Sequence, residues 1–473
     1  MNVKIEKLVY GGEGLGHTEG QTIFVPFVLP GETVAVRPVE RKKKFVRGQL
    51  QHIITPALER TVAPCPHFAA CGGCDYQHIP YEAQLEYKKQ ILRETLWRIG
   101  RVQWDGEIHA HASPPFGYRN RAQWKIQRAA STGFPAGAPD NLRADAPRQA
   151  GAPRQAIGYF RAHSAALLPI EQCPILSPRL ESSLKALRAL LADSRLPSTS
   201  GSASALATLR EIEIFADHRD EKLLLNASCT EFAGPPDAFA ATLREALPAA
   251  ESILLHESSR DRFELFGPGF ITYRVADADF RVGHLSFFQV NRHLVDELVR
   301  AVTADARGES ALDLFAGVGL FSLPLARSFQ RVTAVESNQA AVRDLQINLQ
   351  AAGPAAHPVC ADVERFTAAT SERFDLVLLD PPRAGVPAAA LQRIAQLAPQ
   401  QISYLSCHPA TLARDLALLT AANSPASPSA AGPPAIDSAH APAPARYSIT
   451  DVHLFDIFPQ SFHIESLVRL SLR

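Results

Sequence analysis

The segment SALDLFAGVGLFSLPLA, residues 310–326, constrains the fold more than any other stretch of this chain. An apolar run, a loop with two glycines and a second apolar run at helical spacing follow one another directly. A strand–turn–helix unit accommodates that order, because the glycines let the backbone turn tightly and let a ligand come close. From about Ser286 onward, strand-like and helix-like patterns alternate through RVTAVES, AHPVCADVERF, RFDLVLLDPPRAG and QISYLSCHPATLARDLALL. This alternation predicts an α/β sheet whose ligands bind at the carboxyl ends of its strands.

Acidic residues fall at those predicted ends. Asp313 closes the first strand, Glu336 the second and Asp362 the third. Glu336 suits the paired hydroxyls of a ribose, and Asp362 is placed to accept from an adenine amine. Each acid alone would read as an ordinary helix N-cap; three at successive strand ends point to one nucleoside-bearing ligand. The loop Ala316-Gly317-Val318-Gly319 lacks the third small residue of a nicotinamide fingerprint, since Ser322 stands there. The fourth strand must leave the sheet at Asp380-Pro381-Pro382-Arg383, because proline cannot continue a central strand. Cys407 ends the fifth, just before a helix with Pro409 in its first turn, and the helix dipole there is expected to lower its thiol pKa, helped by His408 when protonated. A lone cysteine is more often structural, but a place on the catalytic edge favours a nucleophile. In FHIESLVRL, His463 and Glu465 alternate with apolar neighbours and are expected to share one strand face, either as an exposed edge or as an acid–base pair.

The first sixty residues read as a small β-barrel of the oligonucleotide-binding kind, with TIFVPFV, ETVAVRPV and VRGQLQHII as strands between glycine-rich turns. The basic run ERKKKFVRG suits a solvated hairpin tip, or phosphate contacts. CPHFAACGGCDYQH then places Cys65, Cys71 and Cys74 together; the spacing leaves zinc and iron–sulfur both open, and either normally takes four protein ligands. YEAQLEYKKQILRETLWRIG has helical period, with Gly100 as a stop. FGYRNRAQWKIQ is a strand with either a plain basic face or an RNA-stacking one. Residues 131–156 and 423–445, rich in Ala and Pro, read as a disordered insertion and a flexible surface loop. Lys plus Arg and Asp plus Glu both number 48, so no overall basic excess signals a nucleic-acid partner. Seven cysteines without an export signal argue against a disulfide framework and for a reducing cytosol. No apolar run is long enough to span a membrane.

Together these motifs resemble the bacterial RNA uridine-5-carbon methyltransferases, in particular the iron–sulfur branch acting on 23S ribosomal RNA. DLFAGVG is similar to the first motif of S-adenosylmethionine methyltransferases. Arg383, where amino-group methyltransferases carry an aromatic residue, argues against an exocyclic amine as target. The resemblance implies a TRAM RNA-binding barrel over residues 1–60, a central β-rich iron–sulfur domain over 61–280 and a Rossmann-like methyltransferase domain over 281–473. It implies a [4Fe–4S] cluster on Cys65, Cys71, Cys74 and Cys173, the last from EQCP. It assigns S-adenosylmethionine contacts to Gln289 of FFQVN and to Phe315, Gly317, Glu336, Asp362 and Asp380; Asp380 is also placed to orient the pyrimidine. Cys407 would be the nucleophile and Glu465 the base. The implied partner is RNA, with 23S rRNA preferred over tRNA, in the cytoplasm, with no membrane and no obligate protein partner; an RNA-binding iron–sulfur protein without activity is the competing reading. His408 departs from the pattern, which has an asparagine or similar polar residue there.

Overall fold

The computed structural model describes residues 1–18, 20–128, 155–192, 206–420 and 447–473. The tracts expected to be irregular at 131–156 and 423–445 lie outside the described residues, except that Gln155 and Ala156 begin a strand. The described chain divides into two compact units, one made of residues 1–62, 78–114 and 275–473, the other of residues 63–77 and 115–274.

In the first unit, β1 (Asn2–Leu8), β2 (Glu13–Thr18), β3 (Gln21–Pro26), β4 (Thr33–Arg41) and β5 (Phe45–Thr55) close a barrel in the order β1-β2-β3-β5-β4. Alternation along the strands sends Val3, Ile5, Ile23, Val25, Val34 and Val36 inward as its core. Lys42, Lys43 and Lys44 are exposed between β4 and β5, as a hairpin tip. The helix Tyr81–Gly100 buries Ile91, Leu92 and Leu96 at the predicted period. Gly100 is not its left-handed stop: Arg101 takes that conformation, with φ 53°. The glycine instead permits close packing, since a Cβ there would collide with the carbonyl of Ala413. The same helix buries Lys88, whose Nζ meets Asp456 Oδ1 at 2.6 Å. The strand β6 (His109–His111) follows.

The second unit holds a sheet of β7 (Arg121–Arg128), β8 (Gln155–Phe160), β9 (Leu167–Pro169), β10 (Leu209–Ala216), β11 (Leu223–Cys229), β12 (Ala250–Glu257) and β13 (Arg262–Phe266), ordered β13-β12-β11-β10-β7-β8-β9. Tyr118 and Trp124 are buried, Trp124 in the core of this unit. These two aromatics are therefore not available to stack on bases, and the cations Arg121 and Lys125 pair with Glu213 and Glu211. The strands β14 (Phe270–Val275) and β15 (Ala278–Gly283) lead on along the chain.

The remaining strands of the first unit are β16 (Gly308–Leu314), β17 (Phe329–Glu336), β18 (Ala356–Cys360), β19 (Leu376–Leu379), β20 (Gln401–Ser406), β21 (Tyr447–Phe455) and β22 (Glu465–Leu472). With β6 they form a sheet ordered β18-β17-β16-β19-β20-β22-β21-β6. β16 to β20 run parallel, and β22 runs antiparallel to both β20 and β21. All four residues of β19 are buried, as a central parallel strand requires. The chain order reverses between β16 and β19, which marks the switch point where such sheets bind ligands.

Candidate active site

The sheet order converts scattered residues into a row. Along the carboxyl edge stand Asp362 just beyond β18, Glu336 at the end of β17, Asp313 in β16, Asp380 after β19, Cys407 after β20 and Glu465 at the start of the reversed β22. The register pairs Ser406 with Ser466, so one further step sets Cys407 beside Glu465.

Two acids in the left half of this row, Glu336 and Asp362, line a cavity of about 390 Å³ together with Phe315, Val363 and Pro387; Asp313 is not in its wall. Phe315 holds a left-handed φ of 65°, a strained conformation for an aromatic residue. Gly319 needs its glycine, because φ is 89° and a Cβ would meet Leu345 Cδ1 at 2.8 Å. Gly317 N–H donates to Glu336 Oε2 at 2.9 Å, while the N–H groups of Ser337 and Asn338 donate to Oε1 at 2.8 and 2.7 Å. These three bonds fix the carboxylate against the cavity. Asp362 occupies the N-cap position of the helix Val363–Ala369, but its side chain makes no capping hydrogen bond, which leaves an exposed carboxylate on the cavity wall. Asp313 is fully buried; Ser322 donates to its Oδ2, and Oδ1 has no partner. Burial pushes this carboxyl up to about 7 despite the Ser322 bond. Gln289 is buried in the loop before the helix Val295–Thr303 and does not line the cavity.

The right half carries different chemistry. Burial raises the Asp380 carboxyl to about 7, with Asp313 adding to the shift. Burial and then the Asp380 charge hold Glu465 well above the usual carboxylate range, against the opposing pull of Arg383. Cys407 does not have the lowered pKa expected from its helix: burial and the Glu465 charge push it up to about 11, and Arg383 opposes them. His408 does not help either. Burial and Arg383 lower its pKa, and its Nδ1 accepts the Thr411 N–H at 3.3 Å, so the ring is neutral near pH 7. A desolvated, acid-rich pocket thus outweighs one helix terminus. His463 is absent from the strand face it was expected to share with Glu465; it lies in the preceding turn, packed on Phe458 and Phe462 with centroids 5.4 and 4.4 Å away.

Three contributors escape sequence reasoning. Arg383 is an exposed guanidinium whose charge reaches Cys407, His408 and Glu465; its place straight after two prolines at the sheet edge was the available signal. Asn291 is buried and ties the FFQVN loop down, its amide donating to Ser113 Oγ at 2.9 Å and Ile457 O at 3.1 Å. Tyr10, the lone aromatic of a glycine-rich barrel turn, stands edge-on to His408 and Phe462.

In the second unit Cys65, Cys71, Cys74 and Cys173 line one cavity of about 500 Å³, with Phe68 and Tyr159 among its walls. Backbone bonds fix this loop: Gly72 N–H donates to Phe160 O at 3.2 Å, and Ala162 N–H to Ala70 O at 3.1 Å. All seven cysteines are free thiols. Among the described residues, no three His, Cys, Asp or Glu side chains gather closely enough to hold one metal ion.

Comparison with known proteins agrees with this geometry. Residues 270–424 match the tRNA (Uracil-5-)-methyltransferase family, and residues 1–50 match the TRAM domain. A 23S rRNA (uracil(1939)-C(5))-methyltransferase, RlmD, of Pseudomonas entomophila is 30% identical over 98% of this chain and 92% of its own length. An RNA methyltransferase of Synechocystis is 31% identical over 99% of this chain and 95% of its own length. Among solved structures, the Pyrococcus abyssi tRNA (uracil-54, C5)-methyltransferase in complex with S-adenosyl-L-homocysteine is 26% identical, with a TM-score of 0.69 over 99% of this chain and 100% of that one. Full-length likeness at this level, on a barrel and a sheet of matching kind, shows that the chain belongs to the family of S-adenosylmethionine-dependent RNA uracil-5-carbon methyltransferases.

Proposed function

We propose that this chain methylates carbon 5 of one uridine in 23S rRNA through a covalent bond between Cys407 and the pyrimidine. The observation that carries this reading is the adjacency of Cys407 and Glu465 at the end of the row of acids. The cavity beside that row fits S-adenosylmethionine. Glu336 and Asp362 offer carboxylates to ribose and adenine, Phe315 an aromatic wall, Gly317 open space, and Asp313 an unpartnered buried oxygen for an ammonium group. Gln289 and Asp380 complete the proposed set of contacts from outside that cavity's wall. When bound, this cofactor supplies an electrophilic methyl group.

Carbon 5 of uracil is a weak nucleophile. The Cys407 thiolate adds to carbon 6 and converts the ring to an enolate, and carbon 5 takes the methyl group as its bond to the sulfonium sulfur breaks, leaving a neutral thioether. Glu465, ionised, removes the carbon 5 proton; the electrons of that bond re-form the 5,6 double bond and expel the thiolate. Asp380 orients the ring by its polar edge, and Arg383 offsets the negative charge that thiolate and enolate bring. The base must first be swung out of the RNA, at a cost of a few kcal/mol.

We assign residues 1–60, 61–280 and 281–473 to RNA binding, cluster binding and methyl transfer, in a chain working in the cytoplasm. The Cys65, Cys71, Cys74 and Cys173 cavity suits a [4Fe–4S] cluster: four thiols line one space, more room than a single ion needs, with Phe68 and Tyr159 as apolar wall and Arg119 and Arg161 as cations beside it. Its role is structural, since neither addition to the ring nor methyl transfer is a redox step.

The test is incubation with 5-fluorouridine RNA and S-adenosylmethionine. An adduct stable to denaturation is expected, because fluorine cannot leave as a proton does, and Cys407→Ser should give none. Absence of adduct from the unaltered protein would remove the covalent route. Mapping 5-methyluridine in RNA from cells with and without the gene identifies the target; a lost site in tRNA rather than 23S rRNA would move the substrate to the class named for the Pyrococcus structure.

A further inference from the structure

One barrel residue stands against neighbours of the catalytic pair, His408 and Phe462. Tyr10 belongs to the turn between β1 and β2, where Gly11 and Gly12 take φ values of 109° and 83°. Its ring meets His408 edge-on, with centroids 5.1 Å apart and planes at 80°, and meets Phe462 likewise at 5.4 Å and 89°. His408 directly follows Cys407, and Phe462 precedes Glu465 in the turn that delivers it to the sheet. One side chain from the N-terminal barrel therefore touches the flanks of both proposed reacting groups. Edge-to-face contacts of this kind orient rings as well as bury them. Tyr10 is half-buried and makes no hydrogen bond to a described residue, so neither its open face nor its hydroxyl is committed elsewhere. Burial pushes its pKa up to about 12, which keeps the phenol neutral, and the charges of Arg383, Cys407 and Glu465 all reach it.

Resting on the catalytic reading above, we propose that Tyr10 is a positioning residue for methyl transfer: its ring holds the His408–Phe462 wall and gives the extruded pyrimidine an aromatic surface beside Cys407. The barrel then does more than grip RNA backbone. It completes the pocket, and its own engagement with RNA is coupled to the geometry of the nucleophile.

The experiment compares the unaltered protein with Tyr10→Phe and Tyr10→Ala. It measures single-turnover methylation at saturating RNA and cofactor, RNA affinity by fluorescence anisotropy, and the ring resonances of His408 by NMR. Tyr10→Phe should stay within about threefold of the unaltered rate, and Tyr10→Ala should lose at least about tenfold in rate while RNA affinity changes less than about threefold. The His408 resonances should shift in Tyr10→Ala, where the neighbouring ring is gone, and hold in Tyr10→Phe. An unchanged rate in Tyr10→Ala, or a loss confined to RNA affinity, would overturn the proposal, as would unmoved His408 resonances. If the unaltered protein itself methylates no uridine, the catalytic reading falls and takes this one with it; a normal rate in both proteins overturns the role of Tyr10 alone.

Discussion

At the residue scale, the active edge is governed by desolvation more than by helix dipoles. Cys407, Asp380 and Glu465 are all shifted toward their protonated forms by burial, and Arg383 is the cation that opposes this at Cys407 and Glu465. The sign of the pH dependence follows. The thiolate is scarce near neutrality and becomes more abundant as pH rises, and the raised Glu465 carboxyl shifts the profile in the same direction, so single-turnover methylation should climb from about pH 6.5 to about pH 9. A flat or falling profile would contradict that assignment. Arg383→Gln should slow the reaction about tenfold at near-neutral pH, one unit of thiol pKa being about 1.4 kcal/mol, with partial recovery at high pH. A merely structural defect would lower the whole profile evenly. Sequence reasoning located Cys407 and Glu465 because prolines, glycines and charges punctuate strand ends. It could not see the electrostatics, because a pKa depends on residues that come together only in the fold. Burial of Trp124 was not read either, although Ala122, Trp124 and Ile126 alternate along β7 as a core-facing row, a signal that the interleaved cations masked.

At the element scale, the helix Tyr81–Gly100 was readable from its period, whereas the purpose of its last glycine was not. Gly100 lies where this helix presses on the helix Pro409–Thr420, which follows Cys407 directly. Glycine to alanine inside an unhindered helix would normally stabilise by roughly 0.5–1 kcal/mol. Here the Ala413 carbonyl occupies the space, so Gly100→Ala should destabilise by about 1–3 kcal/mol. The guanidinium unfolding midpoint decides the sign, and a rise would mean that the two helices are not in such close contact. The β-pattern was likewise visible strand by strand. The placement of β22 between β20 and β21 was not, because strand order is decided by packing among distant segments rather than by local pattern.

At the scale of the whole molecule, the cysteine loop and the catalytic edge lie in different compact units, and each unit is assembled from separated stretches of chain. If the four thiols hold an iron–sulfur cluster, anaerobically purified protein should be brown, and Cys173→Ser should bleach it while S-adenosylmethionine binding by the first unit changes little. Colourless protein containing one zinc per chain would refute the cluster. The sheet of the first unit has a further consequence. Residues 465–472 fill the place between β20 and β21, so without them each of these strands would keep unpaired backbone groups on that side. A prematurely terminated chain would therefore lack its base and also expose two sticky borders, making it a target for chaperones and proteases rather than a slow enzyme.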